Sequence, residues 1–341
     1  MLARLQAYLN ESIQGMGDSE VRNLQSIADG WETEILSFDL VNLPSSGWEH
    51  EKLILRMYPG RYSSQKARWE FTVLKKLGEL GYSVPSVLHL EQSGKPLGRA
   101  FILMERIEGV QLWDMFPDGS PDRLYELIRI FSELFVNLHQ IDWTKAFPTP
   151  PGRDANDPHS FIRARLEEYA HNISSLRKAE LSPVVDWLSK RLPNIPVGRL
   201  SFTHGDFHPG NILVDSDGNL FVIDWTASRV TDYRVDLAWT VLLAKTFPGD
   251  LGGIILSTYE DILGSTVESI EYFEVLAILR RLLDMSVSFT ERAGDRGMRE
   301  GALEMMREHA EHFRNVHSLL VDITGIRIPE ITALIESMTE Q

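Results

Sequence analysis

The stretch FTHGDFHPGNILVDSDGNLFVIDW, residues 202–225, decides the fold. The apolar runs ILV and LFVI have strand character and flank Asp217-Gly218. Asp-Gly predicts a two-residue hairpin turn, because both positions tolerate positive φ. With that turn at the centre, residues 214 and 221 face each other, then 212 and 223, then 211 and 224. The hairpin therefore predicts Asn211 opposite Asp224 at its open end, and a longer loop would shift this register by about a residue.

The predicted open end of the hairpin brings together an amide oxygen and a carboxylate. Both are hard oxygen ligands that suit Mg²⁺, which completes its shell with phosphate and water. Asp206 lies in the preceding loop, which is tightened by Gly205, Pro209 and Gly210. A carboxylate in that loop can reach a substrate hydroxyl beside a metal-bound phosphate. The alternative is an ordinary hairpin with polar ends, since Asn and Asp are common where strands end.

Two segments of this stretch resemble a known family. HGDFHPGN at 204–211 is similar to the H-x-D-x-x-x-x-N loop of the aminoglycoside phosphotransferase and choline kinase-like superfamily. VIDW at 222–225 is similar to the metal-binding segment of that superfamily, and the resemblance covers about residues 20–260. It implies an α+β, bilobal protein-kinase-like fold, with a small mixed β-sheet lobe and a large, mainly helical lobe.

The resemblance also implies roles for individual residues. Asp206 would orient the acceptor hydroxyl or take its proton, while Asn211 and Asp224 would hold Mg²⁺ on the phosphates of ATP or GTP. His204 and His208 resemble residues that brace the loop. Asp236, in DYRVDLAW, resembles a buried aspartate that also braces it. A carboxylate that only stabilises a helix N-terminus is an equal alternative for Asp236.

The nucleotide side is predicted from a strand and a helix. Arg56 lies inside the apolar strand KLILRMY, and a buried charge needs a partner. On the next helix, Glu70 shares its face with Val73, Leu74 and Leu77. The Arg56–Glu70 pair resembles the strand cation and helix glutamate of kinases, with Arg in place of Lys. In the alternative, Arg56 reaches solvent and Glu70 lies at the edge of the apolar stripe.

FILMERIEG, residues 101–109, resembles the connector between the lobes. The resemblance implies that backbone groups of Glu105 and Ile107 bind the adenine edge. It divides the chain into an N-terminal nucleotide-binding lobe, 1–106, and a C-terminal lobe, 107–341, with the catalytic loop and substrate site. Gly30 is the only glycine between the first helix and the first clear strand, so contacts of a covering loop with phosphate stay open.

Hydrophobic spacing outside these motifs predicts the remaining elements. Residues 1–30 are predicted to be helical, and a strand hairpin with a turn at 44–47 follows. A helix is predicted over about 64–80, ended by Gly81. Two strands then flank a turn at 94–96, and most of the remainder has helical spacing, including 125–140, 161–176 and 183–192.

Composition limits the function classes. The 341 residues exceed the roughly 100–200 residues of one domain, which predicts two domains or lobes. There is no cysteine, so disulfides and thiolate metal sites are excluded. A net charge of −15 argues against a nucleic-acid-binding surface. No apolar run reaches the length of a membrane span or a signal-peptide core, so we expect a soluble cytoplasmic protein whose oligomeric state is open.

The predicted activity is transfer of the γ-phosphoryl group of ATP to a small-molecule hydroxyl. An aminoglycoside-like compound, an amino alcohol, a sugar and a hydroxy acid all remain open as acceptors. One alternative is a metal-dependent phosphohydrolase, since GDFH at 205–208 fits a G-D-x-H motif and His204, Asp206, His208 and Asp224 could ligate two metals. Its upstream motif is met only formally, by Asp157-Pro158-His159. The other alternative is a kinase-like module that binds nucleotide without catalysis.

Overall fold

A computed structural model of the chain describes residues 1–13, 16, 18–29, 33–41, 51–116, 120–147, 157, 159–246, 251–288 and 310–339. The chain divides into two compact units, each of which draws on separate segments of sequence. The described residues of the first unit lie within Met1–Gln111 and Ile212–Thr226. Those of the second unit lie within Leu112–Asn211, Ala227–Glu291 and Gly301–Gln341. The lobe boundary after residue 106 stays a prediction.

The first unit is built on a five-stranded antiparallel sheet in the order β1-β2-β3-β5-β4. Its strands are β1 (Glu20–Asp29), β2 (Glu34–Val41), β3 (Lys52–Met57), β4 (Val87–Glu91) and β5 (Phe101–Glu105). Two helices accompany the sheet, α1 (Leu2–Ser12) and α2 (Ser63–Glu79). Leu5 and Leu9 of α1 share one apolar cluster with Leu53 and Leu55 of β3. Because side chains alternate along a strand, Arg56 lies on the opposite face of β3.

Only part of the predicted helix over residues 1–30 is present, as α1 over Leu2–Ser12. Residues 20–29 form β1, which pairs antiparallel with β2 and carries a bulge between Arg22 and Gln25, where Asn23 has a φ of 55°. The extra residue brings Val21 and Leu24 onto the same apolar cluster. Two apolar residues three apart resemble helical spacing, which is why the sequence pattern was misleading here.

The other predictions for this unit agree with the structure. Strands β2 and β3 pair antiparallel, although the predicted turn at 44–47 lies outside the described residues. Helix α2 ends just before Gly81, which has a φ of 78°. Strands β4 and β5 also pair antiparallel, as expected from the two apolar runs that flank residues 94–96.

The predicted hairpin, together with β6, forms a three-stranded sheet in the order β6-β8-β9. The strands are β6 (Gly109–Gln111), β8 (Ile212–Asp215) and β9 (Leu220–Val222). Ile212 faces Val222 and Val214 faces Leu220, so the observed register differs by one residue from the predicted one. The prediction of a two-residue turn, and of Asn211 directly opposite Asp224, is therefore wrong.

The cause of this shift is Asp215. Its Oδ1 accepts hydrogen bonds from the backbone N–H groups of Asp217 and Asn219, at 2.9 and 2.8 Å. These bonds lengthen the loop, so residues 216–219 connect β8 and β9, and Gly218 takes the left-handed position at φ 84°. The loop is still a tight hairpin connection, and Asp224 still follows β9 by two residues.

The second unit is mainly helical. Its helices are α3 (Pro121–Gln140), α4 (Ser160–Leu176), α5 (Ser182–Arg191), α6 (Tyr233–Thr246), α7 (Gly252–Leu263), α8 (Ile270–Ser288), α9 (Ala310–Thr324) and α10 (Pro329–Thr339). Phe273, Ile278 and Leu282 of α8 lie in an apolar cluster that also includes residues of α4, α5, α6, α9 and α10. No helix in the described part of the chain is long and apolar enough to cross a membrane.

A two-stranded ribbon interrupts the helices. It pairs β7 (Leu200–Thr203) antiparallel with β10 (Arg229–Asp232), and the sequence pattern did not predict β10. Residues 204–211, the predicted catalytic loop, follow β7 and end where β8 begins. The ribbon therefore fixes the start of the loop, and α6 begins directly after β10.

Candidate active site

Asp236 anchors the start of the catalytic loop. It lies in the first turn of α6 and is 2% exposed. Its Oδ2 accepts the backbone N–H of His204 at 2.7 Å, and its Oδ1 accepts that of Gly205 at 2.8 Å. His139 Nε2 lies 3.3 Å from Oδ2. The structure thus gives Asp236 the loop-bracing contacts rather than leaving it only at a helix N-terminus.

Gly205 gives the loop its sharp bend. Its φ is 84°, in the left-handed region where side chains are strained. A Cβ atom on this residue would also lie 2.6 Å from the carbonyl oxygen of Ala227. Conformation and close approach both require glycine at this position, immediately before Asp206.

Asp206 presents a carboxylate whose orientation is fixed by its neighbours. Trp239 Nε1 donates to Oδ1 at 2.7 Å, and His208 Nε2 lies 3.7 Å from Oδ2. The backbone N–H of Asp206 donates to His204 Nδ1 at 3.2 Å. Burial tends to raise the pKa of Asp206, but His208, Arg280 and Trp239 together hold it well below its usual range. Asp206 is therefore an ionised acceptor, and 38% of its side chain is exposed.

Asn211 closes the same loop with its amide nitrogen. Nδ2 donates to the backbone carbonyl of Asp206 at 2.9 Å, and the N–H of Asn211 donates to the carbonyl of His208 at 2.9 Å. The amide nitrogen thus forms a hydrogen bond within the loop, while Oδ1 accepts no hydrogen bond from the described residues. An amide oxygen held in this way is a suitable hard ligand for Mg²⁺.

In the first unit, Glu70 is the centre of a buried polar network. Tyr58 donates its hydroxyl to Oε2, and the backbone N–H of Trp225 donates to Oε1 at 3.1 Å. Arg56 Nε lies 3.2 Å from Oε2, at ion-pair distance but outside hydrogen-bond geometry. The structure therefore brings Arg56 and Glu70 together, with side chains that are 6% and 1% exposed.

The same guanidinium also holds Asp224, a contact that the sequence did not indicate. Arg56 donates from a terminal nitrogen to Asp224 Oδ1 at 2.7 Å, and Thr226 donates its hydroxyl to the same oxygen at 3.0 Å. Asp224 has a φ of 65°, a strained conformation for a residue other than glycine, and 40% of its side chain is exposed. Strain and two donors fix the direction of this carboxylate.

The electrostatics of this network favour a charged arginine. Burial opposes the charge on Arg56, but Asp224 and Glu70 outweigh it and raise the pKa of Arg56. Burial raises the pKa of Glu70 despite the nearby guanidinium. A carboxylate oxygen of Asp224 and the amide oxygen of Asn211 are the donor types that Mg²⁺ prefers, so the chemistry of these residues fits the ion.

The predicted adenine-binding segment follows β5. The N–H of Glu105 donates to the carbonyl of Ser86 at 2.9 Å, and that of Arg106 donates to the carbonyl of Lys52 at 3.0 Å. Among the described residues, the N–H of Ile107 has no hydrogen-bond partner. A backbone donor is therefore available at Ile107. The role of Glu105 and Ile107 in nucleotide binding stays a prediction, and Gly30 lies outside the described residues.

The structure adds two residues that the sequence did not single out. Trp239 holds the Asp206 carboxylate, and Arg280 donates to the carbonyl of Gly205 while its Cζ lies 3.7 Å from the centroid of the Trp239 ring. Both lie on long helices whose spacing indicated only a core. Within the described residues, no group of three or more His, Asp or Glu side chains is arranged to hold a metal.

The chain belongs to the Phosphotransferase enzyme family (APH), whose family model matches residues 42–273. Among curated proteins, it is 27% identical over 207 residues to "Acyl-CoA dehydrogenase family member 10" of Mus musculus. That match covers 58% of this chain but only 19% of the mouse protein, so the chain spans about a fifth of the length of this relative.

Solved structures share the fold. A protein from Ralstonia eutropha, provisionally assigned as an aminoglycoside phosphotransferase, superposes with a TM-score of 0.60 at 16% identity, covering 99% of this chain and 98% of its own. A thermostable mutant of aminoglycoside phosphotransferase APH(4)-Ia, in a ternary complex with AMP-PNP and hygromycin B, gives 0.56 at 15% identity, covering 92% and 98%. The predicted family and the kinase-like α+β fold are confirmed.

Proposed function

We propose that this protein is a small-molecule kinase that transfers the γ-phosphoryl group of ATP, or of GTP, to a hydroxyl group. The observation that carries the proposal is Asp206: a partly exposed, ionised carboxylate on a loop braced by buried Asp236. Phosphoryl transfer requires mainly alignment and charge neutralisation. A fixed anionic acceptor meets the first of these requirements.

Asp206 would align the acceptor hydroxyl and accept its proton. The acceptor oxygen forms a bond to the γ-phosphorus, and the bond to the bridging oxygen of the leaving diphosphate breaks. Trp239 and His208 hold the two carboxylate oxygens of Asp206 in a defined direction. This pre-orientation favours in-line attack over random encounter.

Arg56, with Glu70 as its partner, would contact the nucleotide phosphates, and the backbone of Glu105 and Ile107 would bind the base. Asn211 and Asp224 would be the protein ligands of Mg²⁺. When bound, the ion neutralises charge on the phosphates. The neighbour crystallised with AMP-PNP and hygromycin B supports a nucleotide donor and a small-molecule acceptor.

The test is a screen of hydroxyl compounds coupled to ADP formation, with Asp206→Asn as the control. We expect ADP release that depends on both the acceptor and Mg²⁺ in the parent protein, and its loss in the variant. Phosphate release without nucleotide, driven by Mn²⁺ or Zn²⁺, would instead support the phosphohydrolase alternative. Nucleotide binding with no turnover on any acceptor would support the non-catalytic module.

A further inference from the structure

The second unit gathers arginines around the catalytic loop, although the whole chain has a net charge of −15. Arg165 lies on α4, Arg229 on β10, and Arg280 and Arg281 on α8. An acidic protein that concentrates cations beside its proposed catalytic carboxylate requires a physical explanation, because like charges repel unless an anion lies between them.

Arg280 is tied directly to the surroundings of Asp206. It donates to the carbonyl of Gly205, and its guanidinium lies over the ring of Trp239, the residue that holds Asp206. Its side chain is 25% exposed, and its Nε is 3.7 Å from Asp284 Oδ2. Arg280 is therefore positioned within the site, not on a remote surface.

Arg229 is the arginine of this group that has no counter-ion among the described residues. It faces Thr203, the last residue of β7, and its Nε donates to the carbonyl of Ala227 at 3.3 Å. This carbonyl is the one that closely approaches Gly205. Across the described residues, Arg229 has no carboxylate at ion-pair distance, and its side chain is exposed. A guanidinium next to the loop, partly covered by its neighbours, thus lacks a carboxylate partner among the described residues.

Arg165 and Tyr169 complete the group. Arg165 is 16% exposed, pairs with Glu168 at 2.6 Å, and has its Cζ 5.3 Å from the centroid of the Tyr169 ring. Tyr169 is only 6% exposed, and its hydroxyl finds no hydrogen-bond partner in the described part of the chain. Arg165 lies on α4, which contacts β10, the strand that carries Arg229. Burial, and then the charges of Arg165 and Arg280, lower the pKa of Arg229 to about 10.

No acid among the described residues of this region forms an ion pair with Arg229. Glu168 is engaged by Arg165, Asp284 lies beside Arg280, and Asp206 is held by Trp239. Arg281 donates from Nε to His312 Nε2 at 2.9 Å. Among the described residues of this group, Arg229 is therefore the arginine that lacks an ion-pair partner.

Resting on the proposed kinase function, we propose that Arg165, Arg229 and Arg280 form an anion-binding subsite for the acceptor. The acceptor would then carry a carboxylate or phosphate group in addition to the hydroxyl that Asp206 orients. Arginine suits this role, because its planar fork binds either group through two hydrogen bonds. A cationic acceptor, such as an aminoglycoside or an amino alcohol, would be repelled from the same place.

The experiment uses a matched set of three-carbon alcohols: glycerol, glycerate, glycerol 3-phosphate and 3-aminopropane-1,2-diol, together with hygromycin B. Binding of each to the full chain is measured by calorimetry with AMP-PNP and Mg²⁺ present, so the measurement needs no turnover. We expect glycerate or glycerol 3-phosphate to bind at least tenfold more tightly than glycerol, and the two cationic compounds to bind no better than glycerol. Comparison of the two anions distinguishes a carboxylate from a phosphate.

Arginine variants test whether the named residues bind the anion. Arg229→Gln should weaken anion binding by about tenfold or more, since a hydrogen bond to a charged group is lost. Arg229→Lys, which keeps the charge without the fork, should fall between Arg229→Gln and the parent protein. The matched control is Arg129→Gln, on α3 of the same unit, where a 73% exposed side chain pairs with Glu133. Thermal melting of each variant checks that it is folded.

The two proposals can fail separately. Equal binding of glycerol and the anions, preference for a cationic compound, or equal effects of Arg229→Gln and Arg129→Gln would each overturn the anion subsite, whether or not ADP forms. Conversely, Arg229-dependent anion binding without ADP formation on any acceptor would retain the subsite and overturn the kinase function.

Discussion

Arg56 donates to Asp224 at 2.7 Å although 168 residues separate them in sequence. The same guanidinium lies 3.2 Å from Glu70, so one buried cation is shared by two carboxylates. Arg56, the proposed phosphate-binding residue, therefore also holds Asp224, the proposed metal ligand. Any change that moves Arg56 will also move Asp224.

Removal of Glu70 should destabilise the protein strongly. Glu70→Ala leaves Arg56 and the N–H of Trp225 buried with fewer partners, and breaking a buried ion pair costs about 3–5 kcal/mol. Tyr58→Phe removes only one donor to the same carboxylate and should cost about 1 kcal/mol. Urea unfolding measures both free energies. Glu79→Ala, at an exposed position of α2, is the control, and an equal loss in Glu79→Ala and Glu70→Ala would contradict the network.

Asp206→Asn should abolish most of the turnover while leaving nucleotide binding nearly intact. The amide has the same shape but cannot accept the hydroxyl proton, and loss of a general base lowers rates by about 10² to 10⁴. Steady-state kinetics and a nucleotide titration measure the two quantities. Near-normal turnover in this variant would remove Asp206 from the mechanism.

The pH dependence of stability should also report on Asp206. Because its pKa in the folded protein is held below the ordinary value of 3.8, its contribution to stability is complete above that pH and is lost as the pH falls below it. The difference in unfolding free energy between the parent protein and Asp206→Asn, measured between pH 7 and pH 3, should therefore be constant down to about pH 4 and begin to shrink below it. A difference that grows on acidification would contradict the ionised state.

Asp236→Ala should reduce both stability and turnover. It leaves the buried N–H groups of His204 and Gly205 without their acceptor, and an unsatisfied buried group costs about 1–3 kcal/mol. Turnover should fall because the loop that carries Asp206 is no longer fixed. Asp261→Ala, at an exposed position of α7, serves as the control. Loss of stability without any change in turnover would mean that the brace does not position Asp206.

Arg229→Gln should raise the melting temperature of the free protein. The pKa of Arg229 is lowered to about 10, so its charge is disfavoured in the folded state at neutral pH. Removing that charge relieves its desolvation and its repulsion by Arg165 and Arg280. A gain in stability on replacement agrees with a residue whose role is binding rather than folding. A fall in melting temperature larger than that of Arg129→Gln would indicate a structural role instead.

Asp224→Ala should weaken nucleotide binding mainly when Mg²⁺ is present. Its carboxylate is the proposed metal ligand, so the gain in nucleotide affinity on adding Mg²⁺ should shrink at least tenfold, while the affinity measured with EDTA changes less. Fluorescence titrations with and without the metal provide both values. An equal loss under the two conditions would assign Asp224 to holding Arg56 alone.

The sequence was most informative where local chemistry dominates. Helix α2 with its terminal glycine, the alternation that isolates Arg56, and the HGDFHPGN loop all follow from neighbours in sequence. The hairpin was predicted with a register error of one residue, because an aspartate side chain captured two backbone N–H groups and lengthened the loop.

The sequence was least informative where partners are distant. Trp239 and Arg280 lie on helices with apolar spacing, and only the packing of α6 and α8 brings them to Asp206. Strand β1 was missed because its bulge imitates helical spacing, and β10 because its four residues pair only with β7. In each case the residue or strand is positioned by a partner that is distant in sequence.

The discontinuity of the first unit has a consequence for synthesis of the protein. When the ribosome has released residues 1–111, Arg56 and Glu70 already exist, but Asp224 and the N–H of Trp225 do not. Arg56 and Glu70 therefore lack these two partners until about a hundred further residues have been synthesised. During that interval the nascent unit contains an incomplete network of charged groups. Translation speed across 112–211, and the chaperones present meanwhile, should therefore govern the yield of correctly folded protein.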